Sequence, residues 1–509
     1  MTDPIKYPAF GPYSNVQRWS EMPSWVPAAH QARIGSYAVY EQIYWSHVAT
    51  TYKVMNRGLD QADEPLYVPS SRIIVNTLNR YIGPGLRAEP DPETGTPEQQ
   101  LLATQAFASL FARERFDSRY AAAKRDGLIK ADWGWHLMAN PLKPEGTKIS
   151  LVPFKPENYF PAFEDEVIDG GDPDKIAQVR LAELVQVGDE TFVRVQLYDR
   201  TVDEAGTIYS SLTMWKPEEW HLWRFDDDKK APQQTLIPPT PLPPQITAFP
   251  VYHIPHNQPI GEPFGSSVMR GLETLQSAMN QGHTDEDLAL ALMGLGVYAT
   301  DAAGNPTTPD GQATDWLLYP GVVLQNSKGL RRVEGITSVQ PYSEHFARLE
   351  GYMADATGAT DAARGRLEVQ EAESGVALQL RLGPTLALAE IEDKVILDVH
   401  RQLFYDLVQM WFPTFEGLNV TDVTMLPLLG EKLPVNRAAE AALVEGLVLG
   451  GILSAASARN YLIKRGFSGM FDGSEGDLIL AEKMAVAAAE AGDTTLGDRA
   501  ATETGTTGA

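Results

Sequence analysis

Leu388, Ile391, Val395, Val399, Leu403, Leu407 and Trp411 recur at steps of three or four along the chain. That is the spacing of one helical face, not the alternation of a strand, and it predicts one long amphipathic helix from Ser374 to Phe412. Counted from Glu371, such a helix extends roughly 60 Å at about 1.5 Å per residue, more than a globular core requires. Pro384 follows Gly383 directly. It has no amide proton and crowds the preceding turn, so a kink is expected at Gly383-Pro384.

The patterns before this helix change twice. Tyr37, Tyr40, Tyr44 and His47 fall at helical spacing, an aromatic stripe better suited to core or subunit interface than to base stacking. Ser70 and Ser71 are placed to cap a helix running to Tyr81, which Gly83-Pro84-Gly85 stops. Pro97 to Lys130 reads as a further helical region with Leu101, Leu102, Ala106 and Leu110 on one side. From Trp133 the period shortens to two. Lys148 to Val152, Ile176 to Leu184, Thr191 to Leu197, Ser211 to Trp215 and His221 to Phe225 predict an antiparallel sheet. Pro232 to Pro259 holds nine prolines, which bar helix and central strand and predict a connector draped over the surface.

Beyond that connector, Val268, Leu272, Leu275 and Met279 predict a helix opening at Gly265-Ser266-Ser267 and reaching about Met293. Gly294 to Val333 reads as strands and turns, Gly296 to Thr300 and Trp316 to Leu324 among them. Tyr342, Phe346, Leu349 and Met353 mark another helix from Ser338 to about Ala356. Ala359 to Glu373 is polar and aperiodic. After the long helix, Val420 to Leu426 is strand-like, and Asn436 to Leu449 and Ser454 to Lys464 form a helical hairpin with Gly450-Gly451 between and Gly466 after. The tail from Ala491 is small and polar and is expected to be disordered.

Composition narrows the function. The 509 residues carry 42 basic and 67 acidic side chains, a formal net charge of −25, which argues against a surface that wraps tightly around nucleic acid. With no cysteine, disulfides, zinc–thiolate sites and cysteine nucleophiles are excluded. The start of the chain has no basic-then-apolar signal pattern, and no apolar run reaches membrane-spanning length, so a soluble protein is expected. No glycine-rich phosphate loop ending in Lys-Ser or Lys-Thr is present, and Gly261 and Gly265 are better explained by close backbone approach. His253 and His256 lack the third ligand that a metal site needs. Asp285, Glu286 and Asp287 read as a solvated helix face. Arg459, Lys464 and Arg465 give the C-terminal hairpin a few donors, which fits helical packing better than DNA reading.

Four features in order resemble the portal proteins, or head–tail connectors, of tailed double-stranded DNA bacteriophages. They are the connector ending in Pro250-Val251-Tyr252-His253-Ile254-Pro255-His256-Asn257, the Gly265-Ser266-Ser267 helix start, the β insert between two helices, and Ser374-Gly375-Val376-Ala377-Leu378 opening the long helix. The resemblance covers about 240 to 415.

It implies an α+β subunit in which residues 1–260 form a wing, 261–293 a first stem helix, 294–335 a clip, 336–358 a second stem helix and 359–373 a tunnel loop. Residues 374–430 would be the long kinked wing helix with a return strand, 431–490 a helical crown and 491–509 a disordered tail. It further implies a homo-oligomeric ring, usually of twelve subunits, at a capsid vertex of the virion, assembled in the host cytoplasm. Double-stranded DNA would pass through it without sequence specificity. Terminase, the head–tail adaptor and the major capsid and scaffold proteins would be its partners. No enzymatic activity, catalytic residue, cofactor, metal or membrane is implied. The site residues would be Arg364, Arg366 and Glu368 in the tunnel loop, Trp316, Lys328, Arg331 and Arg332 in the clip, and Gly383 and Pro384 at the kink. A carboxylate-dependent, carbohydrate-active hydrolase and a capsid scaffold or adaptor without a channel are the alternatives.

Overall fold

The computed structural model describes residues 25–45, 66–163, 176–203, 205–220, 232–295, 297–299, 331–333, 340–366, 375–433 and 437–452, with residues 454, 457, 458 and 461. The chain divides into two compact units, Met1–Lys432 and Leu433–Ala509. Helices and sheets are both well represented, and the chain is of the α+β class.

Alternating sequence in the first half yields two antiparallel sheets. Strands β4 (Tyr159–Phe163), β5 (Ile176–Val187), β6 (Glu190–Asp199), β7 (Tyr209–Trp215) and β8 (Gln234–Pro241) lie in that order. The second sheet runs β3 (Ile149–Pro153), β2 (Asp132–Ala139), β9 (Val251–Pro255). The proline-rich stretch is therefore not the draped connector that its composition suggests, because it supplies β8 and β9. Both are edge strands, the position in a sheet where a residue without an N–H costs no ladder bond. The expected strand His221 to Phe225 lies outside the described residues.

The helices before the sheets also differ in detail from their sequence signals. α1 spans Ala28–Trp45, with Tyr37 and Tyr44 buried as the aromatic stripe predicts; His47 lies outside the described residues. α2 spans Ser70–Tyr81, but neither serine caps it. Pro69 occupies the N-cap position, and the Ser71 hydroxyl donates to Gln276 Oε1 at 2.7 Å. The region 97–130 is two helices, α3 (Pro97–Arg113) and α4 (Phe116–Lys130). Arg115 breaks it by adopting a left-handed conformation with φ of 50°. Thr96 and Gln99 form a reciprocal capping box at the start of α3. Its buried side carries Ala103, Phe107 and Leu110, while Leu101 is 59% exposed, so the predicted face is offset.

The long helix α7 (Gly375–Asp406) continues as a π-helix, Leu407–Glu416, past the expected end at Phe412 and with Pro413 inside it. A buried line runs along it through Leu382, Thr385, Ala389, Glu392, Ile396, His400 and Leu403 and on to Leu407 of the π-helix, with Asp393, Phe404 and Asp406 buried beside it. The line steps by three and four and shares Leu403 and Leu407 with the predicted stripe. Trp411 is buried as well, Leu388, Val395 and Val399 are partly buried against the same core, and of the seven predicted residues Ile391 is the exposed one, at 62%. Before Leu403 the centre of the buried face is displaced from the apolar stripe, because Thr385, Glu392 and His400 sit in the buried line with partners waiting. Trp135 donates its indole N–H to His400 Nε2 at 2.9 Å, and His400 Nδ1 meets the Ile396 carbonyl at 2.6 Å. This fixes a neutral imidazole, and burial holds its pKa down at about 4.

Beyond α7, β12 (Met425–Leu428) returns to pair with β1 (Arg87–Pro90), Arg87 opposite Leu428. In the second unit, α8 (Arg437–Leu449) ends at Gly450-Gly451 as expected. Gly451 adopts φ of 69°, and the Ile452 N–H returns to the Leu447 carbonyl at 2.9 Å.

Candidate channel and docking elements

Two helices joined through a short ribbon form the first candidate element. α5 spans Leu272–Leu295 and α6 spans Gln340–Thr357. Between them β10 (Val297–Ala299) pairs antiparallel with β11 (Arg331–Val333), Tyr298 opposite Arg332 and Ala299 opposite Arg331. Arg331 and Arg332 thus sit on the second strand of the ribbon. Trp316 and Lys328 lie outside the described residues, as does the expected strand Trp316 to Leu324.

α5 does not begin at Ser266, as its sequence suggests. Gly271 takes φ of 88° and interrupts the chain there, and the Ser267 hydroxyl accepts from the Met269 N–H at 2.9 Å to close a separate turn. Gly265 is needed for close approach, because a Cβ there would stand 2.3 Å from the Ala131 carbonyl oxygen. The helix pair is locked by the His283 ring stacked on Phe346 at 3.8 Å. Phe346, Leu349 and Met353 are buried along α6, as their spacing predicts. On its other side α5 is stitched to the start of α2. Gln276 accepts from the Ser71 N–H at 3.0 Å and donates to the Val68 carbonyl at 2.6 Å, and Asn280 accepts from the Val68 N–H at 3.1 Å.

The second element is the turn that leaves α6. Gly358 has φ of 67°, and Ala359 and Ala363 are buried. The Arg364 side chain is only 4% exposed and pairs with Asp361. Arg366 donates to Glu350 on α6, one contact being 3.2 Å, and that bond raises its already high pKa. Both arginines therefore have carboxylate partners, and Arg366, about half exposed, is the more accessible. Glu368 lies outside the described residues. The turn is fastened beside the proline of α7: the Thr385 hydroxyl donates to the Gly358 carbonyl at 2.6 Å and accepts from the Thr360 N–H at 3.3 Å. α7 runs as one helix through Gly383 and Pro384.

Buried polar bonds position both elements. Asp132, which begins β2, accepts from the Tyr37 hydroxyl, from His253 Nε2 at 2.7 Å and from the Gly265 N–H at 2.9 Å. Burial alone would raise its carboxyl, but the His253 hydrogen bond and charge, the Tyr37 hydroxyl and the Gly265 amide together hold it below the ordinary carboxylate value. His256 Nδ1 lies 2.8 Å from Glu392 Oε2 on α7. The close pair His253 and His256 thus serves two separate carboxylates. Among the described residues no three His, Asp or Glu side chains are grouped to hold a metal.

Clefts among the described residues include two that are open to solvent. One, of about 580 Å³, lies between β1, α3 and α4 and includes one carboxylate, Asp117. The other, of about 430 Å³, lies between the two sheets and includes one carboxylate, Glu183, which pairs with Arg194. No helix among the described residues is long and apolar enough to cross a membrane.

The chain matches no known family model, and no curated protein matches it in sequence.

Proposed function

We propose that this chain is a portal subunit: one copy of a ring at a capsid vertex through which double-stranded DNA is packaged and ejected. The observation that carries the reading is the order of elements within one compact unit. α5, the β10–β11 ribbon and α6 have the layout of a stem, a clip base and a second stem helix, and the turn after α6 is fastened to Thr385, next to the proline of a long helix. In this reading Arg331 and Arg332 begin the surface that meets terminase and later the head–tail adaptor. The neutralised arginines of the turn suit a conduit. Each free cation on phosphate would add salt-dependent affinity that translocation must break repeatedly. A formal charge of −25 per chain acts in the same sense. The subunit works without catalysis, cofactor or metal, in the virion, beside the major capsid and scaffold proteins.

A hydrolase needs two carboxylates converging on a pocket, whereas the clefts of about 580 and 430 Å³ are each lined by a single one. A scaffold or adaptor without a channel leaves the stem-like helix pair without a role. Negative-stain imaging and mass measurement of the purified chain test the proposal. A ring, twelve-fold by resemblance, with a central hole about as wide as duplex DNA is expected; a monomer under every assembly condition overturns it. Removing residues 361–371 from such a ring is expected to leave assembly intact and impair packaging or retention of DNA. Normal packaging by that variant would detach the loop from the channel.

A further inference from the structure

The loop between β9 and α5 holds an isoleucine out in solvent on a rigid frame. Ile260 is fully exposed, at 105% of its reference area. Its base is closed by two bonds of 2.7 Å, His256 N–H to the Ala131 carbonyl and Ser266 N–H to the His256 carbonyl. Within the loop, Gln258 Nε2 donates to the Glu262 carbonyl at 2.7 Å and the Glu262 N–H to the Pro259 carbonyl at 3.2 Å. Asn257 and Gly261 take positive φ of 43° and 81°, and Pro259 and Pro263 restrict the rest. A scattered surface isoleucine needs no explanation. One at the tip of a loop already fixed in shape loses little entropy when it enters a partner.

The cleft of about 580 Å³ offers the complement. Phe107, Phe111 and Phe116 line it, and Arg87 and Arg115 stand exposed at its rim against a single carboxylate, Asp117. None of these three charged groups has an ion pair among the described residues, and neither does Glu262 beside Ile260. We propose that the Ile260 loop of one copy inserts into the Phe107, Phe111 and Phe116 cleft of the next, with Glu262 meeting Arg115 and Arg87. Charge selects this knob over Leu142, another exposed loop residue, 95% exposed. Lys143 follows Leu142 and would bring a third cation to the arginines. Knob and cleft are different patches of one chain, so the contact is head-to-tail, the kind that closes into a ring. The inference rests on the portal reading for its occupant, a second copy.

The absence of cysteine gives a direct test. Full-length chain carrying Ile260→Cys and Ala108→Cys, assembled and then oxidised with copper–phenanthroline, is expected to give a ladder of cross-linked species beyond the dimer on a non-reducing gel. Ile260→Cys paired with Leu184→Cys, on the five-stranded sheet, is expected to give none. Glu262→Arg in the first background should lose the ladder, and adding Arg115→Glu should restore it. An unmodified chain that forms rings while the Ile260 and Ala108 pair gives no ladder overturns this contact and leaves the portal reading standing. A product that stops at the dimer replaces the head-to-tail contact with a two-fold one and also overturns it. An unmodified chain that never assembles removes both proposals.

Discussion

His256 and Glu392, 2.8 Å apart and each 6% exposed, tie the turn after β9 to the middle of the long helix. The Asn257 N–H donates to the second carboxylate oxygen at 3.0 Å. Glu392→Ala leaves the buried His256 imidazole without its carboxylate and removes the acceptor of the Asn257 N–H, and is expected to destabilise the fold by about 2–4 kcal/mol. Glu392→Gln keeps an acceptor for Asn257 and should cost less than half as much. Urea midpoints of the two variants, compared at neutral pH, check the order; equal losses would mean that the pair carries no special weight.

Asp406 is buried and accepts from the Tyr252 hydroxyl at 2.7 Å and Gln402 Nε2 at 2.8 Å. Burial pushes its carboxyl from 3.8 up to about 6. The folded protein binds this proton more tightly than the unfolded chain, so the contribution is full below pH 3.8 and lost as pH rises through about 6. Asp406→Asn should therefore match or exceed the parent in stability at pH 8, and its relative advantage should shrink toward pH 4. A stability difference independent of pH would contradict the buried-acid account.

His400 works in the opposite sense. Its folded pKa of about 4 lies below the ordinary 6.5, so its contribution is present above pH 6.5 and lost as pH falls toward 4. Each unit of that window is worth about 1.4 kcal/mol at most. His400→Gln retains an acceptor for Trp135 and is expected to flatten the acid limb of a Tm-against-pH curve. An unchanged limb would assign acid sensitivity elsewhere.

Gly265 has no room for a methyl group, since its Cβ would lie 2.3 Å from one carbonyl oxygen and 2.4 Å from another. Gly265→Ala is expected to cost about 3 kcal/mol or more. Gly261→Ala, where nothing lies within 4 Å but φ is 81°, should cost only about 1 kcal/mol of backbone strain. Thermal melts of both separate the two causes, and a Gly265→Ala protein as stable as the Gly261→Ala one would refute the close-approach argument.

Element order could be read from the chain wherever burial and apolarity coincide. α6 is the clear case, because Phe346, Leu349 and Met353 are both the periodic residues and the buried ones. α7 is a mixed case: Leu403 and Leu407 are both periodic and buried, but Thr385, Glu392 and His400 occupy positions that a hydrophobic pattern reserves for carbon. The available signal is their own spacing of seven and eight, which keeps the three polar residues on one side of the helix. The turn residues were harder still. Asp361 is near Arg364 in sequence, but the partner of Arg366, Glu350, comes from the preceding helix, and no local pattern announces it.

The pairing of β1 with β12 sets an order in time. Thr424 donates its N–H to Thr94 across 330 residues of chain, and Phe107 packs against Phe404 and Phe412. The core around α3 and α4 therefore stays open at the ribosome until nearly all of the first unit has been made. Contacts of such separation slow folding and leave apolar surface uncovered meanwhile. The exposed face of that nascent core is aromatic, the kind of surface that chaperones hold.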